Sequence, residues 1–296
     1  MKQMENDVLK GKLLITWDYE LEKGAEARFV ERKEWGIDDY HQTKKILTIF
    51  EKYSIKSTFY CLGYAGLGNN LPYSSSNQIL EISDKGHEIG SHTFNHEFIP
   101  ELSYYELVKT LSDSKKILEE IIGKSVNSFA PPYHYPNQFL KAGALGSAII
   151  PKHWYSFYHN FQKIEISHLL HALKQTKYQN CRLSYMTIPH AVVNKILNKN
   201  ESKAYDLLKF DDIFCFRLSC RAGFTNHAYE AVNNAILYKK VAVIYAHPHS
   251  LKAENPQNIK YLIPFLEYIT LLRNKGVLDI TTPSALTQEY FKDIKK

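Results

Sequence analysis

The chain reads as a single α/β domain built on a parallel sheet. Three observations predict this: short β-rich runs alternate with longer amphipathic helical patterns, no repeat or linker interrupts them, and 296 residues suit one large domain. Hydrophobic residues make up 44% and charged residues 23%, the balance of a folding globular chain. Strand and helix in alternation leave two architectures open, a closed barrel or an open doubly wound sheet.

Taken in order, residues 13–17 read as a strand, 39–53 as a helix and 57–61 as a second strand. A helix over 76–85 stops at Gly86, and 87–91 forms the next strand. The strongest helix starts at Ser103, where Glu106 completes a capping box, and ends at Gly123. Residues 128–130 form a brief strand cut off by Pro131 and Pro132. Later come strands over 212–218, 241–245 and 277–281, helices over 226–239 and 259–275, and a last helix. Residues 151–200, rich in His and Tyr, read as an insertion or rim within the single domain 1–296.

Several partner classes fall away. The formal charge of +6 is spread along the chain with no compact basic stripe, so no nucleic-acid partner is expected. No stretch approaches the roughly 20 apolar residues of a membrane span, and residues 1–10 lack the apolar core of a secretory signal, so a cytoplasmic location is expected. The four cysteines have no C-x-x-C spacing and read as buried free thiols. Oligomeric state is not legible.

Candidate chemistry gathers at strand ends. Asp18 and Glu20 follow the first strand, where a parallel fold exposes side chains; an acidic strand end also suits a turn or cap. His92 and His96 are four residues apart, which on a helical turn puts both imidazoles on one face, able to share a metal or simply to sit as buried histidines. Pro131, Pro132 and Tyr133 end another strand and could aim a backbone N–H at an oxyanion, or form a plain turn. His247 closes the strand 241–245 and suits a general acid near neutral pH, or a core histidine.

The ordered combination resembles the NodB-type polysaccharide deacetylases, carbohydrate esterase family 4, over 13–133 and again over 226–248. The resemblance implies a distorted (β/α)7 TIM-like barrel holding one divalent ion, with zinc a common occupant. Many members carry Thr-Phe-Asp-Asp where this chain has Thr16-Trp17-Asp18-Tyr19-Glu20, an Asp-x-Glu variant. By resemblance Asp18 is the base, Glu20, His92 and His96 are the metal ligands, His247 is the acid and Tyr133 holds the oxyanion. Pro131, Pro132, Trp154 and Arg221 then belong to the substrate side. Ala130 stands where many members have an arginine that orients the aspartate, and Arg217 or Arg221 is a candidate substitute.

The implied activity is metal-dependent removal of an N-acetyl or related acyl group from a sugar; the expected absence of a secretory signal points to an acetylated cytosolic glycan precursor of a surface polysaccharide as the substrate. Two alternatives are open: hydrolysis of another C–N bond, in a cyclic ureide or imide, and an inactive sugar-binding module, suggested by Tyr19 and Ala130.

Overall fold

A computed structural model describes residues 10–26, 35–134, 166–183, 203–210 and 212–294. The strands are β1 (Gly11–Tyr19), β2 (Thr58–Cys61), β3 (Glu88–Ser91), β4 (Ser128–Phe129), β5 (Asn180–Leu183), β6 (Leu208–Phe210), β7 (Ile213–Arg217), β8 (Val241–Ala246) and β9 (Leu278–Thr281). The helices are α1 (Leu21–Ala25), α2 (Gly36–Lys52), α3 (Ser76–Asp84), α4 (Tyr104–Ile122), α5 (Ile166–Gln175), α6 (Asn226–Tyr238), α7 (Ile259–Asn274) and α8 (Pro283–Ile294).

The strand order is β6-β7-β5-β4-β3-β2-β1-β8, with β9 also on β1. Every pairing in it is parallel except β6 with β7. Seven strands, β7-β5-β4-β3-β2-β1-β8, therefore form the parallel wall of the distorted barrel expected from the sequence. Between β7 and β8 the described residues form no ladder, and the segment after β7 meets β8 through separate bonds: Ser219 N–H donates to Val243 O (3.0 Å), Val243 N–H to Ser219 Oγ (3.0 Å) and Gly223 N–H to Tyr245 O (3.0 Å). The nine residues of β1 outrun every neighbour, and one edge serves two partners, β9 along Gly11–Leu14 and β2 along Thr16–Tyr19.

Alternation along β1 sorts its side chains. Leu13, Ile15, Trp17 and Tyr19 join the large core beneath the helices, where Trp17 packs against Phe50, Phe59 and Phe224. Leu14 faces the barrel axis with Phe214, Phe216, Val243 and Leu286. Thr16 and Asp18 follow Leu14 on that inner face, so the strand that supplies the core also carries a carboxylate to the barrel mouth. At the opposite end α8 docks, with Ser284 N–H and Oγ–H donating to Glu88 (3.2 and 2.7 Å).

Element limits agree with the sequence reading to within a few residues, and the capping box of Ser103 and Glu106 and the left-handed Gly123 are present. One difference matters. The described part of 151–200 is not peripheral: α5 packs on α4, and β5 lies between β4 and β7 in the sheet. Its four-residue strand, Asn-Cys-Arg-Leu, carries two polar side chains into the barrel and so lacks the apolar run that marks a buried strand. Trp154 lies outside the described residues.

His87 yields a pH test. Its Nδ1 accepts the Ser57 N–H (3.1 Å), and burial, aided by the Lys56 charge, pushes its pKa from 6.5 down to about 4. A depressed histidine contributes stability above its unfolded pKa and loses it as protons bind. Unfolding stability should therefore fall as pH drops from 6.5 toward 4, and His87→Gln should flatten that slope in urea titrations across the window.

Candidate active site

β1 delivers Asp18 and Glu20, two residues apart on the inward register, and both are buried, at 2% and 4% exposure. Glu20 Oε1 lies 3.3 Å from His96 Nε2 and 3.5 Å from His92 Nε2. The ligand atoms of these three residues fall within 4.8 Å of one another, and a second group, Asp18, Glu20 and His247, shares Glu20.

The histidine pair reaches this geometry without a helix. His92 follows β3 directly, and the turn to His96 is a loop in which Thr93 (φ 66) and His96 (φ 62) take left-handed conformations. The expectation of one helical face is corrected: two positive-φ residues fold the loop back and bring the rings to 5.2 Å. His92 Nδ1–H donates to Ala130 O (2.7 Å), which leaves Nε2 turned toward Glu20 and free to serve as a ligand nitrogen. Two such imidazole nitrogens and a carboxylate oxygen, all buried, are a donor set that suits one zinc-like divalent ion with open positions.

Gly24 makes room for the carboxylate. A Cβ there would meet Glu20 Oε2 at 2.3 Å and Glu20 Cβ at 2.4 Å, so any larger residue displaces the ligand. Burial alone would raise the Glu20 pKa, but His96, His92 and His247 hold it well below the usual carboxylate range.

Asp18 is held differently. Arg182, on β5, reaches across the barrel to place Nη1 2.6 Å from Asp18 Oδ1 and to donate from Nη2 to Oδ2 at 2.7 Å. Its Nη1–H also donates to Thr16 Oγ1 (3.0 Å). The guanidinium, 1% exposed, lies 4.8 Å from the Tyr60 ring and 5.3 Å from the Tyr245 ring. Cation–π contacts desolvated in this way contribute ~2 kcal/mol each. Burial pushes the Asp18 pKa up, but the charges of Arg182, His92 and His247 outweigh it, and the group stays an anion. Neither Arg217 nor Arg221 does this: Arg217 stacks on Tyr205 (4.0 Å), and Arg221 is exposed. The missing arginine at Ala130 is thus made good from β5.

Tyr19 has a structural explanation too. Its side chain faces the core and its hydroxyl donates to Gln78 Oε1 (2.7 Å), so Glu20, one residue on, is the inward carboxylate. His247 ends β8, where Gln257 Oε1 accepts from both its backbone N–H (2.7 Å) and its Nδ1 (3.1 Å). Its Nε2 lies 3.8 Å from Asp18 and 3.9 Å from Glu20. Tyr133 has a left-handed backbone (φ 56), and its ring packs on His96 at 4.6 Å. Pro132 starts the same short 3-10 turn and Pro131 precedes it.

Sequence reasoning missed Arg182, His134, Tyr60, Tyr245 and Gln257. His134 packs edge-on against Tyr245 (4.8 Å), and burial and the Arg182 charge push its pKa down to about 3, so the ring is neutral. The only signal for Arg182 was an arginine in an otherwise unreadable segment.

Comparison with known proteins finds likenesses of sequence over part of the chain and of fold over most of it. Residues 35–144 match the family described as polysaccharide deacetylase, a span that includes His92, His96 and Tyr133 but not Asp18, Glu20, Arg182 or His247. A peptidoglycan-N-acetylglucosamine deacetylase of Bacillus cereus is 32% identical over 95 residues, 32% of this chain and 41% of that protein. A peptidoglycan-N-acetylmuramic acid deacetylase of Bacillus subtilis is 29% identical over 100 residues, 34% of this chain and 20% of that protein. The chain thus matches less than half the length of either relative. A crystal structure of a Mycobacterium smegmatis protein assigned to the polysaccharide deacetylases superposes with a TM-score of 0.62 at 15% identity, covering 95% of this chain and 90% of that one, a likeness of fold. Over residues 35–144 the chain is similar to the polysaccharide deacetylases.

Two substitutions test the site. Gly24→Ala should weaken zinc binding by about 10–100-fold in chelator competition, with an unchanged circular dichroism spectrum. Arg182→Met strands a buried anion and should cost ~3–5 kcal/mol in urea unfolding, part of which Asp18→Asn in the same chain restores.

Proposed function

We propose that the protein is a metal-dependent hydrolase that removes an N-acetyl group from a sugar. The observation that carries this reading is the convergence of Glu20, His92 and His96 within coordination reach, beside a buried aspartate and an imidazole.

Glu20, His92 and His96 would hold a divalent ion, with zinc our expectation, and it would supply Lewis acidity. Asp18 accepts the proton of the attacking water, its orientation fixed by Arg182. The Tyr133 N–H donates to the acyl oxygen as negative charge grows there. His247, steered by Gln257, protonates the departing amine. Acetate and an amino sugar are the products.

The substrate class is an acetylated glycan or its precursor. The names of the relatives support an acetylated amino sugar of a polysaccharide. For a cytosolic enzyme the accessible form is a nucleotide- or lipid-linked precursor. No helix among the described residues is long and apolar enough to cross a membrane.

The test is acetate release from a panel of acetylated sugars by zinc-loaded protein, read beside metal content. His92→Ala should lose stoichiometric zinc and lower kcat/KM by more than about 100-fold, since even residues that only orient a ligand cost 10–100-fold. A His92→Ala protein that keeps both overturns the assignment, and ring opening of a cyclic imide without acetate release redirects it.

A further inference from the structure

Asp39, in the first turn of α2, belongs to none of the motifs above, yet its carboxylate joins the two loops that form the site. The side chain is fully buried. Oδ2 accepts from Glu20 N–H (3.1 Å) and Leu21 N–H (2.8 Å). Oδ1 accepts from His249 N–H (2.8 Å) and His249 Nδ1–H (3.1 Å). One loop carries the ligand Glu20, and the other starts at His247.

Among the described residues, no strand pairing joins those two loops at that depth. The β1–β8 register ends at Trp17 with Ala246, so Glu20 and His247 both lie beyond the last paired residues. Leu21 has φ 52, a left-handed conformation that costs a bulky residue energy and persists only where its surroundings impose it. Asp39 imposes it by capturing the Leu21 amide, while Trp35 Nε1–H donates to Leu21 O (3.1 Å) from the residue before α2. The same Trp35 ring stacks on His249 (4.4 Å between centroids, 9° between planes). All four donors to Asp39 are N–H groups, and only a carboxylate offers acceptors on both oxygens; an amide would turn an NH2 against two of them.

We infer that Asp39 is a positioning residue that sets the spacing between the metal-binding carboxylate of Glu20 and the imidazole of His247. The inference builds on the proposed roles of those two residues. It predicts an effect divisible in two, one half on metal binding through the Glu20 loop and one half on turnover through the His247 loop.

The experiment uses the full chain and measures zinc affinity by competition with a chromophoric chelator, alongside kcat and KM for acetate release. Asp39→Asn should weaken zinc binding at least about tenfold and lower kcat, with KM within about threefold. His249→Phe keeps the ring on Trp35 but loses the Nδ1 donor; zinc affinity should hold while kcat falls about tenfold. An Asp39→Asn protein that binds zinc as wild type does overturns the proposal, and so does one that only melts earlier. Where Asp39→Asn fails to fold, His249→Phe decides: unchanged kcat overturns the proposal, and lowered kcat with intact zinc binding supports it. Wild-type protein that binds zinc yet releases no acetate defeats the deacetylase reading alone, because the zinc arm still decides the role of Asp39.

Discussion

Two carboxylates are buried at the end of β1, and the surroundings of the site keep both of them ionised. Removing a carboxylate from water costs several kcal/mol unless charge and hydrogen bonds replace the solvent. Asp18 obtains that replacement from a guanidinium, and Glu20 from three imidazoles. The two solutions differ in a way that matters chemically. An arginine is a permanent cation that occupies Asp18 from one side, whereas imidazoles can release their protons and offer lone pairs to a metal ion, which would then supply the positive charge beside Glu20. One strand end thus carries the proposed base, held as an anion, and, two residues on, the proposed ligand for a cation.

The rest of the barrel follows from supporting that strand. β1 is long because its lower half must pair with β9 while its upper half pairs with β2 and β8. Its outward residues anchor it in aromatic packing around Trp17, and its inward residues grade from Leu14 through Thr16 to Asp18, apolar floor to ionic mouth. Gly90 on β3 belongs to the same arrangement: a Cβ there would strike the Tyr60 ring at 2.5 Å, so its absence lets that ring lie beside Arg182. The support of the base extends from β1 through β2 and β3 to β5.

Much of this was legible in the sequence because the strong signals are local. Helix periodicity, the capping box at Ser103 and the glycine stops at Gly86 and Gly123 each depend on a few neighbouring residues, and each appears where expected. The motif residues Asp18, Glu20, His92, His96 and His247 were legible by residue type and order, and the structure brings them together. Arg182 and Asp39 were not legible, because each acts on a residue far away in sequence. Arg182 is separated from Asp18 by 164 positions and sits on a short strand with polar residues at alternate places. Asp39 reads as an ordinary first-turn acid of a helix, and only the folded chain turns its oxygens toward residues 20, 21 and 249. The loop between His92 and His96 was misread because spacing of four carries no information about left-handed backbone.

An arginine on β5 can serve where the resemblance expects one at 130 because of how β4 and β5 lie side by side. Phe129 on β4 is in register with Cys181 on β5, so Ala130 and Arg182 are the next residues along adjacent parallel strands. Alternation turns both away from the outer core that holds Phe129 and Cys181 and toward the barrel axis. A side chain from either strand then enters the interior at the same depth. From 182 the guanidinium reaches Asp18, and Ala130 on the neighbouring strand carries only a methyl group. The constraint is therefore on the position of a positive charge inside the barrel rather than on the strand that supplies it. Because the carbonyl of Ala130 orients His92, the backbone there keeps a duty to the metal site that does not depend on its side chain. The two functions at position 130 are separable: the backbone contact must stay with its strand, and the charge can be carried by a neighbour.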